Sequence, residues 1–139
     1  MKKIILSYKV PCPTKPLIQL FSELKEYAKI HPLISKAKET VTKQNKYRIT
    51  EKPFKYLPIS ISYFATVKSS VNEIEYSISK IPLSKLTIKY IFLSFDYKTT
   101  EIKCFLELES TLIGKSILFR KLIKSQDELM NSLPQYFKK

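Results

Sequence analysis

The chain of 139 residues contains one glycine, Gly114. A glycine-rich phosphate loop, a dinucleotide-binding fingerprint and a P-loop each need several, so all three are excluded. Collagen and flexible glycine linkers are excluded on the same count. Hairpin turns must use Asn, Lys, Ser or Pro instead. Cysteine is nearly as scarce. Cys12 and Cys104 stand far apart, with no CxxC pair and no Cys/His cluster, so no structural zinc site and no other metal is expected. No run approaches the ~20 apolar residues of a membrane span. The start, Lys2-Lys3-Ile4-Ile5-Leu6, looks like the front of a signal peptide. Its apolar run stops at Ser7-Tyr8-Lys9, short of the ~7–15 residues needed, and no small-residue cleavage site follows. A cytoplasmic protein with reduced thiols is the expectation.

Arginine is scarce too: Arg48 and Arg120 are the two among 25 basic residues, which leaves 23 lysines. The formal net charge is +13. The lysines are scattered, and the longest basic runs are Lys2-Lys3 and Lys138-Lys139. No block has the length of a basic tail, so the charge reads as a soluble, self-repelling surface, with weak contact to an anionic membrane surface as the other reading.

What is present is apolar: 44% hydrophobic and 12% aromatic, too much for disorder and enough for one domain with a core, 1–139. Residues 3–10 alternate, with Ile4, Leu6, Tyr8 and Val10 on one face, which predicts a half-buried strand. Pro11-Cys12-Pro13 ends it. Thr14 is the expected N-cap of a helix with Pro16 in its first turn, carrying Leu17, Leu20, Phe21, Leu24 and Ala28 on one side. His31-Pro32 stops that helix. Strands are then predicted over 36–43 and 46–52, with a turn at Asn45-Lys46. A loop runs between Pro53 and Pro58. The clearest strand, 59–69, puts Ile59, Ile61, Tyr63, Ala65 and Val67 on one face. Ser70–Asn72 turns the chain into a strand with Ile74, Tyr76 and Ile78, broken by Pro82. Leu86, Ile88, Tyr90 and Phe92 form the next, and Asp96-Tyr97-Lys98 turns it into a last one with Ile102, Cys104, Leu106 and Leu108. From Leu112 the period changes to helical, with Leu118, Leu122, Leu129 and Leu133 on one face and Pro134 ending the helix or kinking its last turn. About twenty helical residues span ~30 Å, enough to cross the whole sheet.

No βαβ alternation appears, so the sheet is antiparallel, wet on one face and covered on the other. The expected fold is α+β: a curved antiparallel sheet of about seven strands wrapped around a long C-terminal helix, with a shorter helix after strand 1. This layout resembles the helix-grip fold of the START/Bet v 1-like (polyketide cyclase-like) superfamily. The stretch Leu20-Phe21-Ser22-Glu23-Leu24-Lys25-Glu26-Tyr27, followed by Ile30-His31-Pro32-Leu33-Ile34, is similar to the superfamily's first helix and its proline-bearing exit. The segments Tyr47 to Glu51 and Ile59 to Val67 resemble its third and fourth strands. The resemblance implies binding of a small or medium hydrophobic molecule or lipid between sheet and helix, a protein-interaction or co-chaperone role, or a cyclase or dehydratase activity. It carries no shared catalytic signature and no cofactor. Lys43-Gln44-Asn45-Lys46 stands where such folds often have a glycine-rich loop, which removes the basis for phosphate contact there.

Candidate ligand-binding residues are polar groups on inward faces. Tyr63, Tyr76 and Tyr90 bring an apolar body and a hydroxyl that needs a partner, and Tyr8 lies on a similar face. Cys104 shares that kind of face and reads as a small hydrophobe. Gln126 lies on the apolar stripe of the last helix and must find hydrogen bonds inside, from a tyrosine, the backbone, a water or a ligand. Glu51 shares a face with Tyr47 and Ile49, either at a wet strand end or as a ligand-orienting acid. His31, the one histidine, is a helix-end residue or a base at the cavity mouth. A nucleic-acid surface would need Tyr or Phe interleaved with basic residues. The outward faces instead carry glutamates 73, 75, 101, 107 and 109, so no specific nucleic acid is expected. Oligomeric state is left open.

Overall fold

The computed structural model describes residues 2–31, 34–39, 46–51, 61–81, 84–110 and 115–137. Expectations placed on Pro32, on Thr40 to Asn45, on Lys52 and the loop between Pro53 and Pro58, on Ile59, on Pro82, on Leu112 and on Gly114 lie outside these residues. So do the side chains of Glu51, Tyr63 and Leu118.

Alternating residues build β1 (Lys2–Val10), whose Ile4, Leu6 and Tyr8 are half-buried and whose Val10 is buried, while Ile5 faces out. Two helices follow, α1 (Thr14–Ser22) and α2 (Leu24–Ile30). Then come β2 (Ile34–Glu39), β3 (Lys46–Glu51), β4 (Ile61–Ser69), β5 (Glu73–Ile81), β6 (Ser84–Ser94) and β7 (Thr100–Ser110). The chain closes with α3 (Lys115–Tyr136), 22 residues or ~33 Å long.

The seven strands form one antiparallel sheet in the order β1-β7-β6-β5-β4-β3-β2. Consecutive strands from β2 to β7 are neighbours, while β1 pairs β7 at the far edge, so α1 and α2 carry the chain from one sheet edge to the other. The inner face collects Ile74, Tyr76 and Ile78 from β5, Leu86, Ile88, Tyr90 and Phe92 from β6, and Ile102, Cys104, Leu106 and Leu108 from β7. These join Leu17, Leu20 and Phe21 of α1, Leu24 and Tyr27 of α2, and Phe119, Leu129, Met130 and Leu133 of α3 in a single buried cluster. The outer face is charged, with ion pairs Lys3–Glu107 at 3.7 Å and Lys89–Glu73 at 3.8 Å. This is the helix-grip α+β architecture that the element order predicts.

Three details differ from the sequence reading. One helix over 14–30 is expected, but Glu23 takes an extended conformation (φ −101°, ψ 96°) and splits it. Ser22 Oγ turns back to the Gln19 carbonyl at 2.9 Å, closing α1, and the Glu23 carbonyl accepts the Glu26 and Tyr27 amides to open α2. Thr14 does not cap: Pro13 holds the N-cap position, and the Thr14 hydroxyl pairs with that of Thr100 at 2.8 Å. Pro134 does not itself end α3; it lies inside the last turn, and the helix continues to Tyr136. The strand bounds also move by a few residues, β2 beginning at Ile34 and β4 at Ile61.

Candidate functional site

The middle of the inner face is aromatic. Phe21 of α1 meets Tyr27, Tyr90 and Phe92 edge to face, with ring centroids 5.3, 4.7 and 5.2 Å away. Tyr76 closes the group, 4.9 Å from Tyr27 and 5.8 Å from Tyr90. Each spacing falls in the range where the positive ring edge meets a negative ring face. The break at Glu23 matters here, because it sets α1 and α2 as separate arms whose Phe21 and Tyr27 both enter the cluster.

Each hydroxyl in the cluster has a partner. Tyr76 donates to the Phe21 carbonyl, fixing α1 on β5. Tyr90 donates to Gln126 Oε1 at 2.6 Å. A phenol has one proton, so the 2.9 Å contact between the Tyr27 and Tyr90 hydroxyls must run from Tyr27 to Tyr90. The result is a buried chain, Tyr27 to Tyr90 to Gln126, linking α2, β6 and α3. Cys104 Sγ lies 3.8 Å from the same Gln126 oxygen.

Gln126 is fully buried, yet its Nε2 has no hydrogen-bond partner among the described residues. Tyr90 and Cys104 both donate toward the amide oxygen, which leaves Nε2 as the unmet end. An unmet buried donor costs about 1–3 kcal/mol.

Of the residues singled out from sequence, Tyr76, Tyr90, Cys104 and Gln126 are brought together. His31 stands at their edge, capping α2 through its amide to the Tyr27 carbonyl at 3.1 Å, with its ring 5.5 Å from that of Tyr27. Tyr8 lies outside the cluster and donates to Asp127 Oδ1 at 2.5 Å, tying β1 to α3. Glu51 ends β3 opposite Ile34, and Tyr63 lies opposite Ile49 on the β3–β4 ladder. The residues missed as site members are Tyr27 and Phe21. Their signal was present: Leu20, Leu24 and Tyr27 recur at helical spacing on the apolar side.

Burial raises the Tyr76 and Tyr90 phenols well above 10 and pushes the Cys104 thiol up to about 12. These groups therefore stay neutral, as hydrogen-bonding and apolar surface. Burial pushes the half-buried His31 imidazole down to about 4. A depressed folded value means the neutral ring is favoured by the fold. Its contribution is complete above pH 6.5 and lost as pH falls toward 4. Urea unfolding across that window should show a loss of about 3 kcal/mol. His31→Gln should flatten this limb, and an unchanged limb would place the titration elsewhere.

Among the described residues no group of His, Cys, Asp and Glu could hold a metal, and no helix is long and apolar enough to cross a membrane. An open groove of about 700 Å3 lies outside the sheet–helix interface, bounded by Lys29, Ile30, Ser132, Gln135, Tyr136 and Phe137.

Solved structures align over nearly the whole chain. A Streptomyces aromatase/cyclase superposes with a TM-score of 0.75 at 10% identity, covering 94% of this chain and 92% of its own. A START superfamily protein from Mycobacterium smegmatis gives 0.70 at 12% identity, covering 94% and 98%. The chain has the START/Bet v 1-like helix-grip fold. A Thermus thermophilus protein gives 0.77 at 10% identity, covering 96% and 95%. No family model matches the sequence, and no curated protein matches it. At these identities the START-like likeness concerns the fold.

Proposed function

We propose that this START-like chain binds a small or medium hydrophobic molecule, such as a lipid or a polycyclic aromatic compound, between the sheet and α3. The molecule carries at least one hydrogen-bond acceptor. The observation that supports this is Gln126: a fully buried amide, held at one end by Tyr90, with its other end unmet. An acceptor on the ligand completes it, and the aliphatic inner-face residues Ile78, Leu86, Ile88, Leu106 and Leu108 supply apolar wall. The fold likeness to an aromatase/cyclase and a START protein supports the same ligand class. The reading takes the protein to work in a reducing cytoplasm, in keeping with two buried free thiols.

The test is native mass spectrometry of the purified protein, followed by thermal-shift titration with lipids and aromatic ketones. A bound molecule with a carbonyl or carboxylate is expected. Gln126→Leu should weaken it about tenfold while leaving a pure hydrocarbon unaffected. Absence of any stabilising compound, or equal binding by Gln126→Leu, would overturn the reading. The interlocked aromatic cluster favours a second reading, an interaction module whose interior is filled by its own side chains; absence of ligand together with a stoichiometric protein partner would select it.

A further inference from the structure

Exposed apolar side chains gather at one end of the sheet. β6 and β7 are joined by a tip in which Phe95 is 60% and Tyr97 81% exposed, and the β4–β5 turn beside it carries Val71 at 86%. The two tips are neighbours, because the Phe92 amide bonds the Asn72 carbonyl at 2.9 Å. Large apolar residues in solvent mark an interaction surface when they cluster. The tip is a built feature: the Phe95 and Asp96 amides both bond the Thr99 carbonyl, at 3.0 and 3.2 Å.

Lysines accompany these rings. Lys9 Nζ lies 4.2 Å from the Phe95 ring centre and Lys98 Nζ 5.3 Å from that of Tyr97, and Lys68 is exposed near the end of β4. The acid of the tip, Asp96, is turned into its own loop, its Oδ1 accepting the Lys98 amide at 2.8 Å. At the level of these lysines Glu101 stands across from Lys9 and Glu75 across from Lys68, while Glu73 is paired with Lys89. Apolar and aromatic tips ringed by flexible cations match the boundary of an anionic bilayer. Rings sit at headgroup depth there, and lysine stems lie along apolar surface with their charges among the phosphates.

We propose that this end of the sheet docks on an anionic membrane surface, with Phe95, Tyr97 and Val71 entering the headgroup boundary and Lys9, Lys68 and Lys98 meeting lipid phosphates and carboxylates. This is independent of the ligand reading. Phe92 belongs both to the aromatic cluster and to the base of the tip, so docking would bring the buried site next to the bilayer.

Vesicle co-sedimentation tests it, with phosphatidylcholine alone and with phosphatidylserine added. Binding is expected to the mixed vesicles at low salt and to fall as salt rises. The paired change Phe95→Ser and Tyr97→Ser should weaken it at least tenfold with thermal stability unchanged, because exposed rings contribute little to the fold. Lys9→Glu and Lys98→Glu should each cost roughly fivefold. The chain has no tryptophan, so Tyr97→Trp gives a clean reporter whose emission shifts blue on mixed vesicles. Absence of binding to phosphatidylserine vesicles at low salt would overturn the proposal. So would an equal loss on changing Lys38 or Arg120, away from this end, to glutamate. A single-stranded oligonucleotide bound through Phe95 and Tyr97 with no vesicle binding would replace the membrane by nucleic acid.

Discussion

Phe21→Ala is expected to lower stability by about 3–5 kcal/mol in urea unfolding. Phe21 is fully buried and touches three other rings, so its removal leaves a hole that no single neighbour can fill. The carbonyl that receives the Tyr76 hydroxyl belongs to the backbone and survives the change. The cost therefore reports ring packing and not a lost hydrogen bond. Phe21→Leu, which keeps most of the volume, should cost less than about 2 kcal/mol. A small aromatic additive should recover part of the loss in the alanine variant by filling the hole, as apolar cavities accept apolar guests. A loss under about 1 kcal/mol would mean that the cluster is loosely packed, which would favour an interior with room at that end.

How far the sequence determined this arrangement can be traced residue by residue. Strands were legible because alternation is a local signal. Ile74, Tyr76 and Ile78 point one way and Glu73 and Glu75 the other, as the observed burial repeats. The long last helix was legible from Leu122, Leu129 and Leu133, although only the last two are fully buried. The break at Glu23 was not legible. The apolar spacing of Leu20, Leu24 and Tyr27 runs straight through it, and the split depends on tertiary demands: Phe21 reaching Phe92, and Tyr27 reaching Tyr90. Thr14 shows the same limit. Its residue type suits a cap, but Thr100 lies close enough to take its hydroxyl, and sequence separation hides that neighbour.

Gln126 was legible as a problem before its answer was known. A glutamine on an apolar stripe must be satisfied from another element, and the candidates were an inward tyrosine or a ligand. The structure supplies the tyrosine for one end of the amide only. Tyr27 closes the stretch Leu20 to Tyr27, and the sequence pattern alone gives it no role. It sits on the apolar side of α2, and its hydroxyl starts the chain that Tyr90 passes on to α3.

The second large effect is expected from Gln126→Glu, which changes charge at this point with almost no change in shape. Below about pH 4 the new carboxyl is protonated in both folded and unfolded chains. Its carbonyl oxygen then accepts from Tyr90 as the amide does, and stability should stay close to that of the parent. Above that pH the unfolded chain ionises freely, while the folded one must either keep its proton or bury a charge among Tyr90 and Cys104. The folded state therefore binds more protons than the unfolded one, and stability falls as pH rises. With a rise of roughly three pKa units, ordinary for a fully buried carboxyl, the loss at pH 7 is about 4 kcal/mol. Urea midpoints of variant and parent compared at pH 4 and again at pH 7 decide it, since His31 makes the parent itself less stable at pH 4. A variant that matches the parent at pH 7 as well as at pH 4 would mean that water reaches position 126 and solvates the charge. The unmet amide end would then be met by solvent, and the case for an acceptor-bearing ligand would lose its main support.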